Sequence, residues 1–158
     1  LRVPQSDVFI ESVEAPGASP TPLAYSAVFS SLSTHLIDGA ENNWPSYYTS
    51  RHFEIAPYLS ESEHSYAPDM LLMSKRAADA LPPRQRDFLI AAARNSLPLM
   101  RARWDELVEK ARRAVVDAGV EVAAIDRPAF RKAVQPMLDR HLRDAETKRL
   151  HDLLRDSA

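Results

Sequence analysis

The chain has 158 residues, a length that suits one domain or one lobe of a larger protein. Its apolar fraction of 45% favours a soluble globular fold. Its formal net charge of −2 provides no positive field that would attract nucleic acid. The absence of cysteine excludes disulfides, thiol catalysis and cysteine-ligated metals. No apolar run approaches the roughly 20 residues that a membrane-spanning helix needs.

The first segment predicts a strand that leads into a helix. The run Leu1–Val3 is strand-like, Ser6 is a typical helix cap, and Gly17 is typical of a helix end. Arg2 is therefore expected at a strand end, directly before a helix N-terminus. A chain that opens on a strand in this way is expected to be cut from a longer one.

The middle of the chain predicts short strands. Leu36–Ile37 is expected to be a buried strand that ends at the Asp38–Gly39 turn. Tyr58–Tyr66 is strand-like and follows an aromatic helical stretch. The continuous apolar run Met70–Ser74 is typical of a strand in a parallel or mixed sheet that is covered on both faces.

The second half of the chain predicts a long helix. Apolar residues recur at helical spacing from Pro83 to Gly119, and Pro98 should kink the helix because it removes a backbone hydrogen bond. The flanking elements are expected to be a helix at Lys75–Leu81, a strand at Val120–Ile125, a helix from Asp126, and an amphipathic tail at Leu142–Leu154. Strands that alternate with helices indicate an α/β fold, with a mixed sheet flanked by helices.

The sequence carries no recognised catalytic motif. It lacks a nucleophile elbow, a dinucleotide fingerprint and a phosphate loop, and its five histidines do not show the spacing of a metal site. Glu63 and His64 form an adjacent acid–base pair, for which an ordinary polar pair is the favoured interpretation. The prediction is a protein that is not an enzyme and that needs no metal or cofactor.

Four residues are candidates for binding a small anion. Arg2 at its strand end can grip a carboxylate with two parallel hydrogen bonds. Asn42 offers a donor and an acceptor, and Tyr25 and Trp44 offer flat faces for a sugar ring or carbon chain. From the residues alone, each has an ordinary alternative: a surface ion pair for Arg2, a turn for Asn42, and core packing for both aromatic residues.

The order and spacing of four segments closely resemble those of the periplasmic solute-binding subunits of TRAP transporters, of the dicarboxylate-binding type. The segments are RVPQSDVF, GASPTPLAYSAVFSSL, LIDGAENNWPSYY and EHSYAPDMLLMSK. The resemblance extends from Leu1 to about Leu142 and covers the C-terminal half of that family. The segments ENNWPSYY and EHSYAP are more similar to the corresponding segments of members that bind uronates than to those of members that bind sialic acid.

The resemblance implies a role for four positions and leaves that of Trp44 open. In the family the arginine at the position of Arg2 pairs with the substrate carboxylate, and the asparagine at the position of Asn42 also lies at that carboxylate. The aromatic residue at the position of Tyr25 packs against the ligand, and the residue at the position of Ser6 lines the pocket. Trp44 is expected either to line the pocket or to close the core below it.

The resemblance also implies a periplasmic-binding-protein-like architecture, in which two lobes close on the ligand and a long kinked helix crosses both. Residues 1–67 are then expected in the ligand-binding second lobe, residues 68–108 in the first lobe, and residues 109–158 back in the second lobe. The implied protein is a periplasmic receptor that binds a small organic acid, either a uronate or a dicarboxylate, and delivers it to the membrane subunits of the transporter. The alternative is a non-binding fragment that self-associates through exposed first-lobe elements.

Overall fold

The structure is a computed structural model that describes residues 1–156, so Ser157 and Ala158 at the end of the predicted segment 109–158 lie outside the described residues. The helices are α1 (Asp7–Glu14), α2 (Val28–Ser33), α3 (Trp44–Thr49), α4 (Lys75–Ala80), α5 (Pro83–Asp117), α6 (Arg127–His141) and α7 (Ala145–Asp156). The strands are β1 (Arg2–Val3), β2 (Thr21–Pro22), β3 (Tyr58–Glu61) and β4 (Glu121–Ala124), and short 3-10 turns occupy Tyr25–Ala27 and His52–Glu54.

The predicted α/β fold is confirmed, although its sheets are smaller than expected. Strand β1 pairs with β2, and β3 pairs with β4; both pairs are parallel and two-stranded. The expected mixed sheet is therefore replaced by two parallel pairs. Parallel pairing needs a crossover connection between the strands, and α1 and the long α5 lie in the two connections.

Strand β1 lies between two other chain segments that run parallel to it. On one side the Thr21 amide donates to the Leu1 carbonyl at 2.8 Å. On the other side the Arg2 amide donates to the Gly39 carbonyl at 2.8 Å, and Arg2 forms an isolated parallel bridge with Ala40. Because the three segments are parallel, the residues that follow them meet at one edge, which is where ligands bind in open α/β sheets.

Helix ends follow the predicted signals in the second half of the chain. Helix α5 runs from Pro83 to Asp117 and is followed by Gly119, which has a φ of +92°. That left-handed conformation suits glycine, so the sequence ends the helix there. The Asp126 side chain accepts a hydrogen bond from the Ala129 amide at 3.0 Å and thereby caps α6. The predicted kink at Pro98 stays a prediction, since that residue lies inside the continuous helix.

Packing between α3 and α5 forms one of the hydrophobic clusters of the chain. Tyr47, Val115 and Val120 are buried together. The Tyr47 hydroxyl donates to the Ala56 carbonyl at 2.5 Å, and burial raises the pKa of Tyr47 to about 12. This cluster fixes the position of α3, and hence of the loop that precedes it, on the long helix.

Two predicted strands are wrong. Neither Leu36 nor Ile37 lies in a strand, and only Ile37 is buried, at 3% exposed against 69% for Leu36. This segment pairs with β1 only at Ala40, through the isolated bridge to Arg2. Met70–Ser74 also forms no strand, and residues 70 to 73 are between 47% and 83% exposed. A strand needs a neighbouring segment with which its backbone can form hydrogen bonds, and no segment among residues 1–156 pairs in this way with Met70–Ser74.

Strand β3 is shorter than the predicted passage Tyr58–Tyr66, because it ends at Glu61 and Glu63 has a φ of +45°. From this point to the middle of α5 the chain exposes many large apolar side chains. They are Tyr66, Met70, Leu71, Leu72, Met73, Phe88, Leu89, Ile90, Leu97, Leu99, Met100 and Trp104. The predicted boundaries at residues 67 and 108 stay predictions, and all of these exposed apolar residues except Tyr66 lie between them. Within residues 1–156, no helix combines the length and the apolar composition needed to cross a membrane.

Candidate functional site

Arg2 is the buried cation of the candidate site. The residue is 6% exposed, and its Nε and Nη2 atoms donate to the Leu23 carbonyl at 3.0 and 2.9 Å. Leu23 directly follows β2, so the parallel pairing of β1 with β2 places its carbonyl beside the guanidinium. A buried charge is costly unless it is paired and hydrogen-bonded, and this carbonyl satisfies one edge of the group.

Two further groups contact the guanidinium. Its Nη1 atom lies 3.6 Å from Oε1 of Glu41, and its central carbon lies 5.9 Å from the centre of the Tyr25 ring. Because Leu23 occupies the Nε–Nη2 edge, the outer edge formed by Nη1 and Nη2 retains donor capacity. That edge has the fork geometry that suits a carboxylate.

His52 forms an uncharged wall beside the cation. It is 4% exposed, and its ring centre lies 5.8 Å from that of Tyr25 and 6.5 Å from that of Phe29. Burial lowers the pKa of His52 below its ordinary value of 6.5, and the charge of Arg2 lowers it further. The imidazole is therefore neutral at pH 7, and the positive charge of this part of the site resides on Arg2.

The tyrosine ring is held by α3 and the turn after it. The Tyr25 hydroxyl hydrogen-bonds the Ser50 hydroxyl and also lies 3.5 Å from the Ser46 carbonyl oxygen. Tyr25 itself begins a 3-10 turn that follows β2. The ring is thus fixed at both ends, with one face toward Arg2.

The two adjacent asparagines have different tasks. Oδ1 of Asn43 accepts a hydrogen bond from the Ser46 amide at 2.8 Å and caps α3. Oδ1 of Asn42 accepts from the Asn43 amide at 2.9 Å, so its Nδ2 group is the part that can donate to a ligand. The structure places Asn42, directly after Glu41, at the same sheet edge as Arg2.

Trp44 and Ser6 lie away from the guanidinium contacts described above. Trp44 packs against the cluster of Tyr47, Val115 and Val120, and the Arg112 guanidinium lies 5.1 Å from the centre of its ring. Ser6 precedes α1 in extended conformation, and its side chain makes no capping bond. Their predicted contacts with a ligand stay predictions.

Glu63 and His64 do not form an acid–base pair with each other. Glu63 contacts Arg127 at 2.8 Å, whereas Nε2 of His64 lies 3.7 Å from Oε2 of Glu41. Nδ1 of His64 lies 2.7 Å from the Ser62 hydroxyl. The adjacent side chains therefore join different parts of the fold, and His64 belongs with Glu41. Among residues 1–156, no group of three or more acidic, histidine or cysteine side chains is arranged to hold a metal ion.

A cavity of about 1220 Å³ begins at Glu41 and Asn42 and continues between α1 and α6. Its lining includes the polar residues Glu41, Asn42, His52 and His64 and the apolar residues Val13 and Met137. Arg2 does not line this cavity, but it contacts the lining residue Glu41 at 3.6 Å.

Neither His52 nor the pairing of Glu41 with His64 was predicted from the sequence. His52 lies in a 3-10 turn after α3, and this turn places its ring next to that of Tyr25. No local sequence pattern predicts that contact. Glu41 directly precedes Asn42 in the sequence. Its contact with His64, 23 residues later, depends on the position of β3 and the loop after it.

The family model described as "Bacterial extracellular solute-binding protein, family 7" matches residues 1–144. This chain belongs to that family. Its members are solute-binding proteins and not enzymes, which agrees with the prediction made from the missing catalytic motifs. The predicted resemblance to TRAP receptors is confirmed.

Individual family members give the same result. A solute-binding protein of Chromohalobacter salexigens is 36% identical over 145 residues, which are 91% of this chain and 43% of that protein. A TRAP periplasmic solute-binding protein of Xanthobacter autotrophicus, solved with β-D-galacturonate, is 45% identical with a TM-score of 0.89 over 93% of this chain and 49% of that one. One from C. salexigens with D-glucuronate is 34% identical with a TM-score of 0.95 over 99% and 53%. The chain thus spans about half the length of these relatives.

Proposed function

We propose that this chain is the C-terminal half of a TRAP transporter receptor that binds an organic acid of the uronate class in the periplasm and delivers it to the membrane subunits. The family match supports the receptor class. The galacturonate and glucuronate bound to the Xanthobacter and Chromohalobacter relatives support the ligand class. A segment outside this chain would supply the opposite wall of the pocket, since the relatives are about twice as long.

The observation that carries the proposal is the buried Arg2 guanidinium at the sheet edge. Its Nε–Nη2 edge is satisfied by Leu23, so the side chain is fixed before ligand arrives. Its Nη1–Nη2 edge is the natural partner for the carboxylate of a uronate, which would form two parallel hydrogen bonds. Fixing the arginine in advance lowers the entropy cost of binding.

Neighbouring groups would orient the rest of the ligand. Nδ2 of Asn42 can donate to the same carboxylate, and the Tyr25 ring provides a flat apolar face for the sugar ring. Ser6 is proposed to line the pocket. Trp44 packs in the core between α3 and α5, so the structure favours the core-closing interpretation for it.

The test is the affinity of the whole gene product for D-galacturonate, measured by isothermal titration calorimetry. Arg2→Ala leaves the buried carboxylate of the ligand without its partner, which costs roughly 3–5 kcal/mol, or about two to three and a half orders of magnitude in Kd. Arg2→Lys should recover part of the loss, because lysine keeps the charge and loses the fork. The matched control is Arg103→Ala, which removes an exposed pair with Glu106 on α5. An unchanged Kd in Arg2→Ala would overturn the proposal.

The alternative of a non-binding fragment is not favoured, because the family and its relatives are binding proteins. Self-association of the chain by itself stays a prediction. It rests on the exposed apolar residues between Tyr66 and Trp104.

A further inference from the structure

The Glu41 carboxylate is held between two cationic or basic side chains without a hydrogen bond to either. Oε1 lies 3.6 Å from Nη1 of Arg2, and Oε2 lies 3.7 Å from Nε2 of His64. Both distances exceed the 2.7–3.2 Å range of N–H···O hydrogen bonds. Each carboxylate oxygen therefore keeps its acceptor capacity while the side chain stays in place.

This carboxylate also faces the cavity. Its side chain is 16% exposed, and Glu41, Asn42 and His64 line the cavity. The carboxylate is partly exposed on the side of the cavity, so a ligand hydroxyl on that side can donate a hydrogen bond to it.

His64 fixes the orientation of Glu41. Its Nδ1 atom lies 2.7 Å from the Ser62 hydroxyl, which positions the ring so that Nε2 points to Glu41. Ser62 and His64 follow β3, whereas Arg2 belongs to β1. Two separate sheets therefore hold one carboxylate, and neither satisfies it.

The position of Glu41 has a direct consequence for ligand choice. A ligand carboxylate on the outer edge of Arg2 would lie within roughly 6 Å of Glu41, the range in which like charges disfavour each other. A ligand that has a hydroxyl near its carboxylate can donate to Glu41 and offset this repulsion. An acid that has no hydroxyl meets the repulsion without compensation.

We infer that Glu41, oriented by His64, is a specificity-determining residue that accepts a hydrogen bond from a ligand hydroxyl and so selects hydroxylated acids over plain carboxylates. The inference rests on the proposed function, because it assumes that Arg2 binds the ligand carboxylate. It goes beyond that function by assigning the discrimination between acids to one residue.

The test compares two acids that share a ring and a carboxylate. D-galacturonate carries ring hydroxyls, and oxane-2-carboxylate has the same six-membered ring without them. Calorimetric Kd values of the whole gene product are measured for Glu41→Ala and Glu41→Gln. The matched control is Glu61→Gln, which removes the carboxylate that pairs with Arg112 at 2.6 Å at the end of β3.

The wild type should prefer D-galacturonate. Glu41→Ala should lower the affinity for D-galacturonate by tenfold to a hundredfold, the usual effect of losing one hydrogen bond to a charged group. The same variant should bind oxane-2-carboxylate as well as the wild type or better, because the repulsion is gone. Glu41→Gln keeps an acceptor oxygen, so it should lose less D-galacturonate affinity and still gain affinity for oxane-2-carboxylate.

Each other outcome overturns the inference in a recognisable way. If folded Glu41→Gln loses affinity for both acids to the same extent, Glu41 acts through Arg2 alone, and the proposed function is not contradicted. Unchanged affinity for both acids in Glu41→Ala means that Glu41 has no part in selection. A wild type that binds neither acid removes the proposed function, and the inference with it. Thermal unfolding of each variant shows whether it is folded.

Discussion

Replacing Asn43 by alanine should separate helix capping from ligand binding in the loop before α3. The Asn43 side chain accepts from the Ser46 amide at 2.8 Å, and Ser46 is in the first turn of the helix. Loss of such a cap costs about 1 kcal/mol, within a range of about 0.5–2 kcal/mol. For a whole protein about twice as long as this chain, that corresponds to a fall of roughly 1–2 °C in Tm.

Asn42→Ala is the matched comparison, one residue earlier. Asn42 is exposed, and its Oδ1 accepts from the Asn43 amide without capping the helix. Its loss should cost well under 1 kcal/mol in stability, since surface substitutions usually stay within about 0.5 kcal/mol. It removes the Nδ2 donor that is proposed to reach the ligand carboxylate. The affinity for D-galacturonate should therefore fall by about tenfold or more.

Circular dichroism melts and calorimetric titrations of both variants provide the assay, each on the whole gene product. The expected pattern is a crossed one: Asn43→Ala loses stability and keeps most of its affinity, and Asn42→Ala does the reverse. If Asn43→Ala left Tm unchanged, the capping bond would contribute nothing. If Asn42→Ala kept full affinity, Asn42 would not contact the ligand carboxylate.

Two further predictions concern pH and association. Burial lowers the pKa of His52 below 6.5, so at and below that pH the unfolded state binds more protons than the folded state. The stability of the folded protein should therefore fall as the pH drops from about 6.5. His52→Gln should flatten this part of a plot of Tm against pH. A Tm profile that is identical in wild type and His52→Gln between pH 7 and 5 would contradict this. Leu71 is 83% exposed in the apolar run Met70–Met73, so Leu71→Lys should reduce the self-association of the 158-residue chain in light scattering. A wild-type chain that is already monomeric would remove the prediction.

Local signals in the sequence predicted the second half of the chain well. Helical spacing and Gly119 located α5, and Asp126 marked the start of α6 because capping involves residues that are close in sequence. The strand at β4 followed from its alternating pattern. These features need no information about distant parts of the chain.

Strands whose existence depends on distant partners were predicted poorly. Met70–Ser74 has the composition of a buried strand, but no described residue pairs with it. Leu36–Ile37 failed for a related reason, since the segment meets β1 at Ala40. Apolar composition indicates where a strand can form, and hydrogen-bond partners decide whether it does.

The candidate site shows the same division. Arg2 at a strand end was predictable from its neighbours, and its role came from the resemblance to TRAP receptors. The neutral His52 beside it and the contact between Glu41 and His64 depend on tertiary packing of a turn and a loop. Such contacts cannot be read from spacing, because the residues that make them are far apart in sequence.

A crystal structure of the whole gene product with D-galacturonate tests most directly whether Arg2 binds the ligand carboxylate. We predict that this carboxylate lies about 2.7–2.9 Å from Nη1 and Nη2 of Arg2, with the Leu23 carbonyl still bound to Nε. A carboxylate bound elsewhere, with the outer edge of Arg2 facing no ligand atom, would contradict the proposed role of Arg2.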